Sequence, residues 1–224
     1  MFLAADNLQI TDPKVARAVE LMDPGPIRDL VKRCVKSGAD AVDINPGPLK
    51  KDPGQKMKFL VETVQSVTDL PLLLDTTNPD ALAAGLAASS NPVIINGFSL
   101  EPARIERILP LAVEFDADII GYLLSPDSRV PVDEAGCFEI ASELLVCAEK
   151  SGLNPERLII DPVVAPLVWE NGARHNRDIL SVIRNLGELY GFPVRTIAGL
   201  SNLTSGPAPY AARLTMETAF LAIC

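Results

Sequence analysis

Asp and Asn residues recur at one kind of place in this sequence: at or just past the end of a short apolar run. Asp6 and Asn7 follow Phe2–Ala5, Asp43 and Asn45 close Ala41–Ile44, and Asp75 follows Pro71–Leu74. Asn96 follows Pro92–Ile95, Asp161 follows Leu158–Ile160, and Ser201 with Asn202 come after Val194–Ala198. Of these apolar runs only Asp118–Ile120 ends without one. Carboxylates accept hydrogen bonds and amides both donate and accept, so the set suits the recognition of a polar group. It contains no nucleophile–base pair, and His175 is the chain's one histidine. A single Asp or Asn after a strand commonly serves a turn or caps a helix, and Asn78 ahead of Pro79 reads as such a cap. Asp75 is different, because Thr76, Thr77 and Asn78 can cap the next helix without it. Two chemistries stay open at this point. Three carboxylates can share a divalent cation; alternatively, an Asp can take two parallel N–H bonds from a flat, nitrogen-rich heterocycle, as it does from a guanidinium.

The elements that must position these groups are legible from period and punctuation. None of the apolar runs alternates with polar residues, which is how strands buried on both faces of a parallel sheet read. Between them lie amphipathic segments with recognisable ends. Asp23-Pro24 opens one, and Lys36-Ser37-Gly38 closes it. Asn78-Pro79-Asp80 opens another, Lys150-Ser151-Gly152 closes the helix that contains Ser142–Glu149, and Asn176 is expected to start a helix over Arg177–Leu189 that Gly191 ends. A β/α unit recurs roughly every 25 to 40 residues, as in a (β/α)8 barrel or an open doubly wound sheet. Polar residues at nearly every strand end favour the barrel, whose strand ends all face one mouth. No strand leads into G-x-G-x-x-G or a P-loop. The expectation is one α/β domain over residues 1–224, a (β/α)8 barrel, with Pro209–Cys224 reading as the seventh helix and no eighth β/α unit after it.

Composition narrows the function classes. The 224 residues are 48% hydrophobic and carry 20 Lys plus Arg against 29 Asp plus Glu, a net charge of −9. An acidic chain without basic blocks neutralises phosphates poorly, so nucleic acid is not expected as a partner. No apolar run is long enough to span a bilayer, and the N-terminus lacks the basic and apolar regions of a secretion signal; a cytoplasmic protein is expected. Cys34, Cys137, Cys147 and Cys224 are dispersed without a C-x-x-C or neighbouring histidine, so they read as small hydrophobes rather than zinc ligands. His175 reads as a surface or capping residue.

Asp23-Pro24-Gly25-Pro26, followed by the stretch Gly38-Ala39-Asp40-Ala41-Val42-Asp43-Ile44-Asn45-Pro46-Gly47-Pro48, resembles the pterin-binding barrel family. Within it, Leu74-Asp75-Thr76-Thr77-Asn78, Ile94-Ile95-Asn96, Ile159-Ile160-Asp161-Pro162 and Gly199-Leu200-Ser201-Asn202 look like the methyltetrahydrofolate:corrinoid protein methyltransferases. The resemblance runs the length of the chain, with the motifs in the family's order. It implies that Asp75, Asn96 and Asp161 hydrogen-bond the pterin ring, and that Asn202 is a mobile side chain approaching the methylated ring nitrogen. Asp43 and Asn45 match the family's second-strand motif and join the pterin-binding set by the same resemblance. Two positions depart from it: Gly97-Phe98 stand where the family often has a serine and a threonine, and Ser205 where relatives can place a glutamine.

The resemblance implies an enzyme that moves a methyl group between 5-methyltetrahydrofolate or tetrahydrofolate and the cobalt of a corrinoid protein. It further implies a homodimer, and a corrinoid (cobalamin) carried by the partner protein. Because the carboxylates would then be committed to ring N–H groups, this chain is expected to bind no metal itself. A tertiary amine is a poor leaving group, so a hydrogen bond or proton at that nitrogen is the main lever on the reaction. Asn202 is the candidate donor, with Asp161 biasing the proton network beside it. Dihydropteroate synthase shares the same barrel but normally uses basic residues near the late strands, and here the seventh strand leads into Gly199-Leu200-Ser201-Asn202 without the late Lys and S-x-R pattern. A non-catalytic pterin-binding module is the remaining alternative.

Overall fold

The computed structural model describes residues 1–49, 51–206 and 209–223, so Cys224 lies outside the described residues. The chain folds as two compact units: Met1–Gly97 with Pro110–Ile119, and Phe98–Leu109 with Ile120–Cys224.

The first unit holds strands β1 (Ala4–Gln9), β2 (Ala41–Asn45), β3 (Leu72–Leu74) and β4 (Val93–Phe98). They pair parallel in chain order, β1 with β2, β2 with β3 and β3 with β4. Sequential order is what barrel-like β/α repeats produce, whereas a doubly wound sheet reverses direction at a switch point. Helices α1 (Pro13–Leu21), α2 (Pro24–Lys36), α3 (Pro53–Gln65) and α4 (Pro79–Ala88) connect the strands. Their ends follow local chemistry. Asp23 caps α2 by accepting from the Gly25 N–H, and Gly38 beyond it adopts φ +91°. The Asn78 carboxamide accepts from the Asp80 and Ala81 N–H groups at the start of α4, as expected of a cap. Ile44, Leu72 and Leu74 on the strands and Met57, Leu60 and Leu82 on the helices are essentially inaccessible, which places the unit's core between sheet and helices.

In the second unit, strand β6 (Leu158–Asp161) pairs parallel with the short β7 (Arg195–Thr196). Strand β5 (Asp118–Tyr122) begins in the first unit and ends here, where the Leu123 N–H donates to the Asp161 carbonyl. Two short helices, α5 (Pro102–Arg107) and α6 (Leu109–Glu114), precede β5. The long helices α7 (Glu134–Lys150) and α8 (Gly172–Tyr190) follow β5 and β6, and the Tyr190 hydroxyl on α8 donates to the Ala141 carbonyl on α7. After β7 come a 3-10 turn, Leu200–Thr204, and helix α9 (Tyr210–Leu221).

The structure corrects several local expectations. Helix α8 begins at Gly172, so Asn176 lies inside it; its carboxamide is buried against another loop and caps nothing. β1 and β4 run past their expected ends, so Asp6, Asn7 and Asn96 belong to strands and not to the turns after them. Seven strands stand among the described residues. They establish a parallel α/β fold, and an eighth β/α unit of a complete barrel is not among them.

Candidate functional site

Four of the expected residues meet in the first unit because of strand register. Ile44 pairs with Leu74 and Leu74 with Ile95, so one residue further along the same register stand Asn45, Asp75 and Asn96. Neighbours on one rung of a parallel sheet project to the same face, and Asp43, two residues before Asn45, shares it. The contact is direct: Asn45 Nδ2 donates to Asp75 Oδ2 at 2.6 Å, while Asn45 Oδ1 accepts from the Gly47 N–H at 3.0 Å. Gly47 makes this turn at φ +60°, and Ile10 packs where a β-carbon would sit, so the turn that orients Asn45 requires glycine.

Asp43 is the most constrained of the four. Ala5 pairs with Val42 but Leu8 with Ile44, so Asp6 and Asn7 together oppose the single residue Asp43 across a β-bulge. The bulge splits the two. Asn7 Oδ1 meets the Cys34 Sγ of α2 at 3.6 Å, whereas the Asp6 carboxylate acts on Asp43. Asp43 is 9% exposed, and its buried Oδ1 has no hydrogen-bond partner. Burial, then the charges of Asp75 and Asp6, push its carboxyl up to about 8. Near neutral pH it therefore carries a proton. The face offers a neutral carboxylic acid, a carboxylate and two amides. Such a mixture fits a ligand with adjacent N–H donors and a carbonyl, and a buried oxygen without a partner is the place for one more hydrogen bond.

In the second unit Asp161 ends β6. Its Oδ1 accepts from the Val163 N–H at 2.8 Å, an Asx turn, so one oxygen serves the local backbone. Burial raises its carboxyl to about 6, against the lowering effect of that N–H, which leaves it largely ionised near neutral pH. Asn202 sits exposed in the 3-10 turn after β7, and its Nδ2 folds back over Gly199; a β-carbon there would lie 3.1 Å from it. The two segments are tied together: the Leu167 N–H donates to the Leu203 carbonyl at 3.0 Å, and Val164, Ile179 and Leu203 form one buried cluster.

His175 is neither exposed nor a cap. It is 9% exposed on α8, and its Nε2 lies 2.9 Å from the Val163 carbonyl. Sequence reasoning missed this contact, and it also missed the charge of Asp6 beside Asp43. A bulge in β1 and a left-handed Val163 leave no pattern in the residues that form them. Cys34, Cys137 and Cys147 are free thiols on α2 and α7, each pushed up by burial, as small hydrophobes are. Among the described residues no group of three His, Cys, Asp or Glu side chains is disposed to share a metal ion, and no helix is long and apolar enough to cross a membrane.

The model of the family described as pterin binding enzyme matches residues 7–224. The methylcorrinoid:tetrahydrofolate methyltransferase of Eubacterium limosum is 27% identical over 92% of this chain and 75% of its own length. A methionine synthase of Mycobacterium tuberculosis is 25% identical over 88% of this chain, which spans only 17% of that protein. Among solved structures, a dihydropteroate synthase of Xanthomonas albilineans in complex with 7,8-dihydropteroate superposes with a TM-score of 0.66 at 19% identity, covering 99% of this chain and 83% of that one. One from Yersinia pestis gives 0.68 at 16%, covering 99% and 82%. At these identities the structural likeness establishes the fold, which is that of the dihydropteroate synthases.

Proposed function

We propose, because the chain belongs to the pterin-binding enzyme family, that it is a methyltransferase acting between a tetrahydrofolate and a corrinoid protein. One observation carries the choice within the family. A relative that matches most of this chain and three quarters of its own length is a methylcorrinoid:tetrahydrofolate methyltransferase; in keeping with it, β7 leads into Gly199-Leu200-Ser201-Asn202 without the late Lys and S-x-R pattern that would serve a pyrophosphate leaving group. That absence speaks against dihydropteroate synthesis, in spite of the shared fold.

In this reading the whole chain works as one pterin-binding domain. Asp75, Asn96 and Asp161 hold the pterin ring, Asn45 orients Asp75, and the protonated Asp43 supplies a donor on the same face. Asp161 and Asn202 act at the reacting end. The corrinoid, carried by the partner protein, supplies a cobalt that takes up or gives up the methyl group. This chain's contribution is to fix the ring in line and to stabilise the changing charge on its nitrogen. Asn202 does the latter as a hydrogen-bond donor, directly or through water. Gly199 leaves room for its amide to turn. The reading includes a cytoplasmic location, a homodimer and no metal bound by this chain.

The test is a calorimetric titration with 5-methyltetrahydrofolate, followed by a methyl-transfer assay with a methylated corrinoid protein. Binding with transfer is the expected result. Binding without transfer would point to a pterin-binding module, and condensation of a dihydropterin pyrophosphate with 4-aminobenzoate would point to dihydropteroate synthase.

A further inference from the structure

We infer that His175 is a positioning residue for the Asp161 carboxylate, acting through the Val163 peptide; the inference rests on the reading in which Asp161 holds the pterin. Val163 has φ +61°. This is the left-handed region, which a β-branched residue avoids and enters only where its surroundings impose it. Those surroundings are specific. On one side of the residue, its N–H donates to Asp161 Oδ1 at 2.8 Å. On the other, its carbonyl stands 2.9 Å from His175 Nε2. A carbonyl only accepts, so Nε2 carries the proton and donates.

The next residue of α8 completes the grip. The Asn176 carboxamide accepts from the Ala165 N–H at 2.9 Å and donates to the Ala165 carbonyl at 2.8 Å. Two consecutive buried side chains of one helix thus hold alternate residues of the loop that follows Asp161. Val164 between them is locked into the cluster with Ile179 and Leu203. A histidine buried only to fill space would need just a partner for its ring. This one closes a chain of hydrogen bonds, His175 to Val163 to Asp161, whose far end is a carboxylate assigned to the ligand. Without the Nε2 donor, Val163 relaxes towards the extended region, its N–H turns away, and Asp161 loses both its orientation and the bond that favours its ionised form.

The test compares His175→Met, which fills the volume without a donor, with His175→Gln, whose amide can place an N–H where Nε2 lies. One readout needs no ligand: the amide proton resonance of Val163, held downfield by its bond to the carboxylate. It should move upfield in the Met variant and return in the Gln variant. The second is the Kd for 5-methyltetrahydrofolate, expected to rise about tenfold in the Met variant and to recover in the Gln variant, the size of one lost charge-assisted hydrogen bond. An unmoved Val163 amide in the Met variant, or a Gln variant no better than Met, overturns the inference. Should the Met variant not fold, the scalar coupling across the hydrogen bond between His175 Nε2 and the Val163 carbonyl decides in the unaltered chain, and its absence overturns the inference as well. A wild-type chain that does not bind 5-methyltetrahydrofolate refutes the functional reading instead, and the Val163 amide still tests the role of His175.

Discussion

Asp43→Asn removes a carboxyl group whose ionisation folding opposes. The group stands at about 8 in the folded chain against an ordinary 3.8, chiefly because it is buried and then because Asp75 and Asp6 face it. The folded chain therefore keeps a proton that the unfolded chain releases. The stability tied to this proton is complete below about pH 4 and is lost as the pH rises towards about 8. At about 1.4 kcal/mol per unit, the full window is worth up to about 6 kcal/mol, of which about 4 kcal/mol falls between pH 5 and pH 9. Asn has the shape of the neutral acid and cannot ionise, so the two chains should be about equally stable near pH 4, and at pH 5 the variant should already lead by up to about 2 kcal/mol. By pH 9 that lead should have grown by about 4 kcal/mol, to as much as about 6 kcal/mol. The raised carboxyl of Asp161 titrates in both chains and cancels in the difference. Urea unfolding of both chains at pH 5, 7 and 9, at constant ionic strength, measures the effect. A difference that stays flat over that range would show that Asp43 ionises freely in the folded chain, and the argument from its buried, unpartnered Oδ1 would fail.

The pterin assignment yields three further expectations. Asp75→Asn should weaken 5-methyltetrahydrofolate binding by about 1.5–3 kcal/mol, since an amide can neither accept two ring N–H bonds in the manner of a carboxylate nor keep the charge-assisted bond from Asn45; unchanged affinity by calorimetry would remove Asp75 from the site. Asn202→Ala should slow methyl transfer roughly 100- to 1,000-fold while changing Kd far less, because its hydrogen bond strengthens as charge develops. Stopped-flow transfer and equilibrium binding falling by equal factors would make Asn202 a uniform binder. Light scattering should report a dimer, and a clean monomer at micromolar concentration would contradict it.

Much of the frame is legible residue by residue, because it is decided by contacts a few positions apart. Asp23 and Asn78 cap their helices, Gly38, Gly152 and Gly191 end theirs in the left-handed region, and the unalternating apolar runs become strands. Helix caps and strand burial follow from local backbone chemistry and from apolar spacing, which the order of residues contains outright. The polar residues at the strand ends were visible for the same reason, though not their grouping. That Asn45, Asp75 and Asn96 share a rung depends on the register of three strands drawn from separate stretches of the chain. That Asp43 holds a proton depends first on the burial that only the folded sheet creates, and then on the charges of Asp75 and Asp6, which neighbouring strands bring near it. His175 shows the limit most clearly. Alone among polar neighbours it reads as a surface residue, yet tertiary packing turns it inward to a valine carbonyl twelve positions away, in a conformation that valine avoids by itself. Sequence by itself determined the parallel β/α frame and the stock of Asp and Asn; tertiary structure decided which of them meet and which is protonated, because register, bulges and desolvation arise only between segments distant in the chain.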